Sequence, residues 1–154
     1  MIEIRKVEKG TELHRQLREY VDGFSWLEVK DHVRRLIDGW AFTEWETPFA
    51  ALSGDRIVAM ATLMKTDYCP LPEIFPWIST IFVSEEYRGQ RISGLLIDFA
   101  NEYAVKCGFE RTYIPSEHTG LYEKYGYRCV KDIKNYAGGT DRLYVRELKR
   151  RTEL

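Results

Sequence analysis

Apolar positions along the chain change period several times, and each change marks an element. Ile2, Ile4 and Val7, with charged residues between them, alternate as a half-buried strand does. From the capping residue Thr11, Leu13, Leu17, Tyr20 and Val21 recur at helical spacing. Beyond Gly23-Phe24-Ser25 a second helix places Trp26, Val29, Val33, Leu36 and Ile37 on one face. After Pro48 the period shortens: Phe49 to Leu52, the turn Ser53-Gly54-Asp55, and Ile57 to Met64 predict a hairpin of two largely buried strands. Pro70, Pro72 and Pro76 interrupt regular structure, and Trp77 to Val83 predicts a further buried strand. A helix follows with Ile92, Leu95, Leu96, Phe99 and Tyr103 turned inward and Gly108 as its C-terminal cap. Arg111 to Ile114 predicts a short strand that Pro115 stops, and Ser116 or Thr119 opens a short helix through Tyr125, ended by Gly126. Tyr127 to Asn135 and Leu143 to Leu148 flank Gly138-Gly139-Thr140-Asp141 as a last hairpin. The order β-α-α-β-β-β-α-β-α-β-β predicts an α/β (α+β) fold, a mixed sheet with helices on its faces, in one domain over 1–149 with a charged tail at 150–154.

Composition narrows the function classes. With 23 basic and 24 acidic side chains the charges nearly cancel, so neither nucleic acid nor an anionic membrane is expected as a partner. Cys69, Cys107 and Cys129 are odd in number and far apart, which argues against a zinc site, a redox pair or a secreted disulfide framework. The start of the chain lacks a signal-like apolar run, and no stretch of about 18 apolar residues suggests a span. A soluble cytoplasmic protein is the expectation.

Chemistry concentrates where the strand ending at Val83 hands over to the next helix. Arg88, Gly89, Gln90, Arg91, Ser93 and Gly94 lie there, with no acidic residue from Tyr87 to Ile97. Free amides and the positive helix end would meet an anion together, and glycine and serine let a pyrophosphate approach the backbone. A surface turn, with Ser93-Gly94 easing helix packing, accounts for the same residues. No G-x-x-x-x-G-K-[ST] and no G-x-G-x-x-G after a strand is present, which disfavours ATP and NAD.

The run Ile81-Phe82-Val83-x-x-x-Tyr87-Arg88-Gly89-Gln90-Arg91-Ile92-Ser93-Gly94-Leu95-Leu96 resembles the acetyl-CoA-binding segment of the GNAT N-acetyltransferase family. Gly120-Leu121-Tyr122-Glu123-Lys124-Tyr125-Gly126-Tyr127 resembles that family's tyrosine-bearing signature. The resemblance covers nearly the whole chain and implies a mostly antiparallel mixed sheet of about six or seven strands with helices on both faces. It implies acetyl-CoA as co-substrate and no metal, with pyrophosphate at Arg88, Gly89, Gln90, Arg91, Ser93 and Gly94 and pantetheine along the backbone of Ile81, Phe82 and Val83. Arg91 and Ser93 depart from the family's small residues; the Arg91 side chain either obstructs the backbone cradle or reaches a phosphate oxygen.

By the same resemblance Tyr122, rather than Tyr125, is the general acid toward the departing thiolate. The family's strand glutamate is matched by Trp77, which cannot titrate, so Glu73 acting through water is the candidate base, with Glu117 and His118 as alternatives. The acceptor, a small-molecule or peptide amine, would meet the first two helices, the loop after Met64 and the final hairpin. Phe24, Trp26, Trp40, Phe42 and Trp45 are dense in that region, where core packing is the default. Glu44, Glu46, Asp67 and Glu73 would attract a cationic amine. The cysteines have no partners to make them nucleophiles. A homodimer is compatible with the family, and a non-catalytic acyl-CoA-binding module is the alternative function.

Overall fold

The computed structural model of the chain describes residues 1–67 and 69–148. Its strands are β1 (Ile2–Lys6), β2 (Thr47–Ser53), β3 (Arg56–Met64), β4 (Trp77–Val83), β5 (Arg111–Ser116), β6 (Arg128–Lys134) and β7 (Thr140–Glu147). Its helices are α1 (Glu12–Asp22), α2 (Leu27–Asp38) and α3 (Ile92–Lys106), with 3-10 turns at Glu85–Tyr87 and Tyr122–Tyr125. The strands form a mixed sheet in the order β1-β2-β3-β4-β5-β7-β6. Element order is as expected, the last short helix being a 3-10 turn. The boundary at 149 and the tail at 150–154 lie outside the described residues. No helix among the described residues is long and apolar enough to cross a membrane.

The chain divides into two compact units, of which the first is Met1–Thr62 with Thr80–Leu96. Here β1 pairs antiparallel with β2 from Ile2↔Ser53 to Lys6↔Phe49. Phe49, Ala50, Ala51, Ala59, Met60 and Ala61 are fully buried, so both hairpin strands read as unbroken apolar runs. Thr11 caps α1 by accepting the His14 amide at 3.2 Å. The His14 ring accepts the Gly10 N–H at Nδ1 over 3.0 Å, which leaves the proton on Nε2 to donate to the Ile37 carbonyl over 2.8 Å. One buried imidazole thereby ties α1 to the end of α2. Trp26 corrects the expectation: it precedes α2, and it is 39% exposed. Val33, Leu36 and Ile37 make the buried stripe without it.

The second unit is Leu63–Ser79 with the described residues from Ile97 onward. β7 pairs antiparallel with β5 from Arg111↔Glu147 to Ser116↔Arg142, and with β6 across a bulge between Cys129 and Lys131. Trp77, Cys69, Ile133 and Leu143 form a buried cluster with Leu71, Ile74 and Tyr113 against it. A closed polar network lies beneath α3: Thr112 donates to Asn101 Oδ1 at 2.6 Å, lies 2.6 Å from the Tyr127 hydroxyl, and that hydroxyl accepts from Asn101 Nδ2 at 3.2 Å. Gly108, at φ +96°, closes α3 as expected, with the Phe109 amide donating to the Ala104 carbonyl at 3.0 Å.

Two further expectations are corrected. Pro115 does not stop β5; it pairs with Leu143. Amides two residues apart point to the same side of a strand, and the Tyr113 amide donates to Pro76 where β4 and β5 pair in parallel at Trp77↔Tyr113. The missing N–H of Pro115 falls on that side, beyond the recorded pairing, and costs no ladder bond. On α3, Leu95 is 45% exposed and Ile97 is buried, so the inward stripe is Ile92, Leu96, Ile97, Ala100 and Ala104.

Candidate active site

The first unit assembles the residues expected to hold a cofactor. β4 ends at Val83, Ser84 follows, and the Glu85–Tyr87 turn leads through Arg88, Gly89, Gln90 and Arg91 into α3. Ser84 is held twice, its amide donating to the Val58 carbonyl at 2.9 Å and its hydroxyl lying 2.7 Å from that of Tyr20 on α1. Arg88 Nε donates to the Val83 carbonyl at 2.9 Å, and its guanidinium lies 5.6 Å from the Phe82 ring centre, so one side of its fork staples the turn back to β4. Phe82 in turn stacks on Phe24 at 4.1 Å. Its side chain is core, as is that of Phe24, while Ile81 and Val83 are half-buried.

Gly89 and Arg91 both adopt positive φ, +83° and +62°. A Cβ on Gly89 would meet nothing within 4 Å, so conformation rather than space calls for glycine there. Arg91 adopts the left-handed form with a side chain, at a cost of about 1–2 kcal/mol, and its carbonyl receives the Leu95 amide at 3.2 Å. The amides of Gly89 to Ile92 therefore precede the α3 ladder. With two arginines and no carboxylate between Tyr87 and Ile97, this donor set suits a phosphate group.

The second unit holds the candidate acid. Tyr122 opens a 3-10 turn that Gly126 closes at φ +88°. Glu123 accepts the Gly120 amide at 2.9 Å, and Arg146 Nη1 donates to the Tyr125 carbonyl and to Asp98 Oδ1, each at 3.1 Å. Tyr122 is 8% exposed, and its ring lies 5.8 Å from that of Tyr144. Burial first, and the neighbouring Tyr125, push its phenol from the ordinary value near 10 up to about 12. Ser116, expected as a helix opener, is instead the last residue of β5, and its Oγ accepts the His118 amide at 3.0 Å.

The candidate bases fare differently. Glu73 is exposed in the loop before β4 and has no hydrogen-bond or ion-pair partner among the described residues. Glu117 and His118 are exposed as well. Trp77 is fully buried, so a carboxylate at that position would be desolvated among apolar neighbours. Glu46 accepts from the Thr43 amide at 3.1 Å and the Thr43 hydroxyl at 2.8 Å, which builds the turn before β2.

Asp67, which pairs with the Ser79 hydroxyl, and Asp141, 4.0 Å from Cys69 Sγ, flank that buried thiol. Burial first, then these two carboxylates, push the Cys69 thiol up to about 12, which removes it as a nucleophile near neutrality. In the folded protein at neutral pH a thiol-modifying reagent is expected to label the exposed Cys107 and Cys129 and to reach Cys69 only on unfolding. Rapid labelling of Cys69, read by peptide mass, would contradict its burial.

The comparisons with known proteins bear on this arrangement. The chain superposes on an aminoglycoside 6'-acetyltransferase type Ii with a TM-score of 0.76 at 16% identity, covering 97% of this chain and 99% of that one. An aminoglycoside 6'-N-acetyltransferase complexed with coenzyme A gives 0.74 at 15%, covering 98% and 99%. A GNAT family acetyltransferase from Elizabethkingia anophelis with acetyl-CoA bound gives 0.65 at 20%, covering 96% and 98%. At these identities the likeness is one of fold. No curated protein matches the sequence. The model of the acetyltransferase (GNAT) family matches residues 10–127, well over half of the chain, and the protein belongs to that family.

Proposed function

We propose that the protein transfers an acetyl group from acetyl-CoA to a primary amine by direct attack, without a covalent enzyme intermediate. The observation that carries this reading is the Arg88-to-Gly94 turn, whose amides and arginines form an anion cradle at the start of α3. Acetyl-CoA, the co-substrate, supplies a thioester-activated acetyl group. Arg88, Gly89, Gln90, Arg91, Ser93 and Gly94 bind its pyrophosphate, and the backbone of Ile81, Phe82 and Val83 binds the pantetheine and offers an amide to the developing oxyanion. Tyr122 gives a proton to the departing sulfur, and Glu73, through water, receives the proton of the amine.

The aminoglycoside acetyltransferases among the fold relatives support a small-molecule amine as acceptor. Asp67 and Asp141 supply negative charge of the kind such a cation needs. The reading also includes a cytoplasmic location and allows a homodimer. A buried Trp77 where the family carries a glutamate favours the second reading, a non-catalytic acyl-CoA-binding module.

Isothermal titration with acetyl-CoA and with CoA tests the first step. The intact protein is expected to bind both, and Arg88→Ala to bind each about tenfold more weakly through loss of a charge-assisted contact and of the turn's staple. Failure of the intact protein to bind would remove acetyl-CoA from the reading altogether. Equal binding by Arg88→Ala would move the pyrophosphate away from this turn. Turnover with an amine then separates enzyme from module.

A further inference from the structure

Resting on the reading of the Arg88-to-Gly94 turn as the seat of the CoA pyrophosphate, we infer that Tyr20 of α1 is a positioning residue for that turn: its hydroxyl holds Ser84, and Ser84 fixes where the chain leaves β4. All of these residues lie in the first unit. Ser84 is the single residue between the end of β4 and the Glu85–Tyr87 turn, and each of its polar groups is engaged. Its amide donates to the Val58 carbonyl of β3 at 2.9 Å, its carbonyl accepts the Tyr87 amide at 2.9 Å, and its hydroxyl lies 2.7 Å from that of Tyr20. Sheet, turn and helix therefore meet at one residue.

The two backbone bonds would form with almost any residue at position 84, whereas the third depends on this serine and this tyrosine. A second route also joins the end of α1 to the turn. The Tyr20 ring meets Phe24 at 5.7 Å and Phe82 at 6.1 Å, both edge-on, and the Arg88 guanidinium lies 5.6 Å from the Phe82 ring centre. Aromatic contacts tolerate sliding, but a hydroxyl pair is lost once its oxygens part beyond about 3.5 Å. The hydroxyl route is thus the one that sets position.

Position matters here because CoA is one covalent molecule, with pantetheine on the β4 backbone and pyrophosphate on the amides that precede the α3 ladder. Both ends are satisfied together only when the segment from Ser84 to Arg88 holds the cradle at a fixed distance from β4. A cradle free to shift must give up that freedom on binding, and affinity falls by the cost of ordering it. Tyr20 therefore acts through Ser84, without touching the cofactor.

The test is calorimetric titration with CoA at 25 °C, beside the Tm of each protein without ligand. Tyr20→Phe keeps the ring and its aromatic contacts, and its Kd for CoA is expected to rise about fivefold, the worth of one neutral hydrogen bond. Ser84→Ala should do the same, and the double variant should lose no more than either alone. Ser84→Thr keeps the hydroxyl at an extended backbone position, φ −57° and ψ 142°, and should bind like the intact protein. His14→Leu removes two ring hydrogen bonds from the same helix, so it should lower Tm and leave Kd unchanged. Should Tyr20→Phe fail to fold, the contrast between Ser84→Ala and Ser84→Thr decides. A lower Tm with unchanged Kd in Tyr20→Phe would make the bond structural only and overturn the inference. Additive losses in the double variant, or an equal rise in Kd for His14→Leu, would overturn it as well. Absence of CoA binding by the intact protein would instead bring down the broader reading.

Discussion

Tyr122→Phe is expected to lower kcat on the order of a hundredfold while leaving the dissociation constant for acetyl-CoA within about twofold. The substitution removes one oxygen from a ring whose packing against Tyr144 it leaves in place. The loss should fall on the step in which charge develops on sulfur. With burial pushing the phenol up to about 12, it stays protonated through neutral and moderately alkaline pH. The kcat profile of the intact enzyme should therefore show no alkaline limb from this group below about pH 11. Steady-state kinetics beside a CoA titration decides the matter. Unchanged kcat would mean that the thiolate departs unaided, and a matching loss of affinity would make Tyr122 a ground-state contact.

The second large effect is on stability. Trp77→Ala should cost about 3–5 kcal/mol, because it empties the centre of the cluster formed with Cys69, Ile133 and Leu143. For a chain of this size that corresponds to a fall in Tm of roughly 10 °C. Trp77→Phe should cost much less. Among the described residues the indole Nε1 is buried with no hydrogen-bond partner, so phenylalanine keeps most of the packing and discards an unsatisfied donor. Trp77→Glu separates the position's two possible meanings. If the site is core, the glutamate variant melts low and gains no turnover. A Trp77→Glu protein that folds normally and turns over faster would show that the tryptophan has displaced a working base.

Most of this architecture was readable because burial imposes a period. β4 is bounded where the apolar run Trp77 to Val83 predicts, and α3 begins at Ile92, with Leu96 buried as its spacing demands. The misreadings share a cause. Leu95 and Trp26 are apolar residues that face solvent, which hydropathy does not forbid, and Pro115 lies on the side of β5 where a missing amide is harmless.

Backbone conformation at the site was still less visible. Arg91 takes the positive φ that glycine would advertise, and so does Thr80 within β4, at +52°, although a β-branched residue argues against it. The glycine-poor turn was found by family pattern, and its geometry explains why that pattern favours a small residue at position 91. The shift of Tyr122 depends first on its burial in the folded chain, where Tyr144 is brought beside it from distant sequence. No local period encodes such meetings.

The sheet's order leaves β1 and β6 as its outer strands. β1 carries Glu3 and Arg5 as an exposed ion pair, whereas β6 exposes Arg128, Lys131 and Lys134 against Asp132. A second β6 laid antiparallel along the first would bring a net positive row against its like, and strands resist extension under that condition. The β6 edge thus carries its own guard against pairing with a second copy of itself. Because the guard is Coulombic, it weakens as added salt shortens the screening length, and concentrated stocks should stay most freely dispersed at low ionic strength.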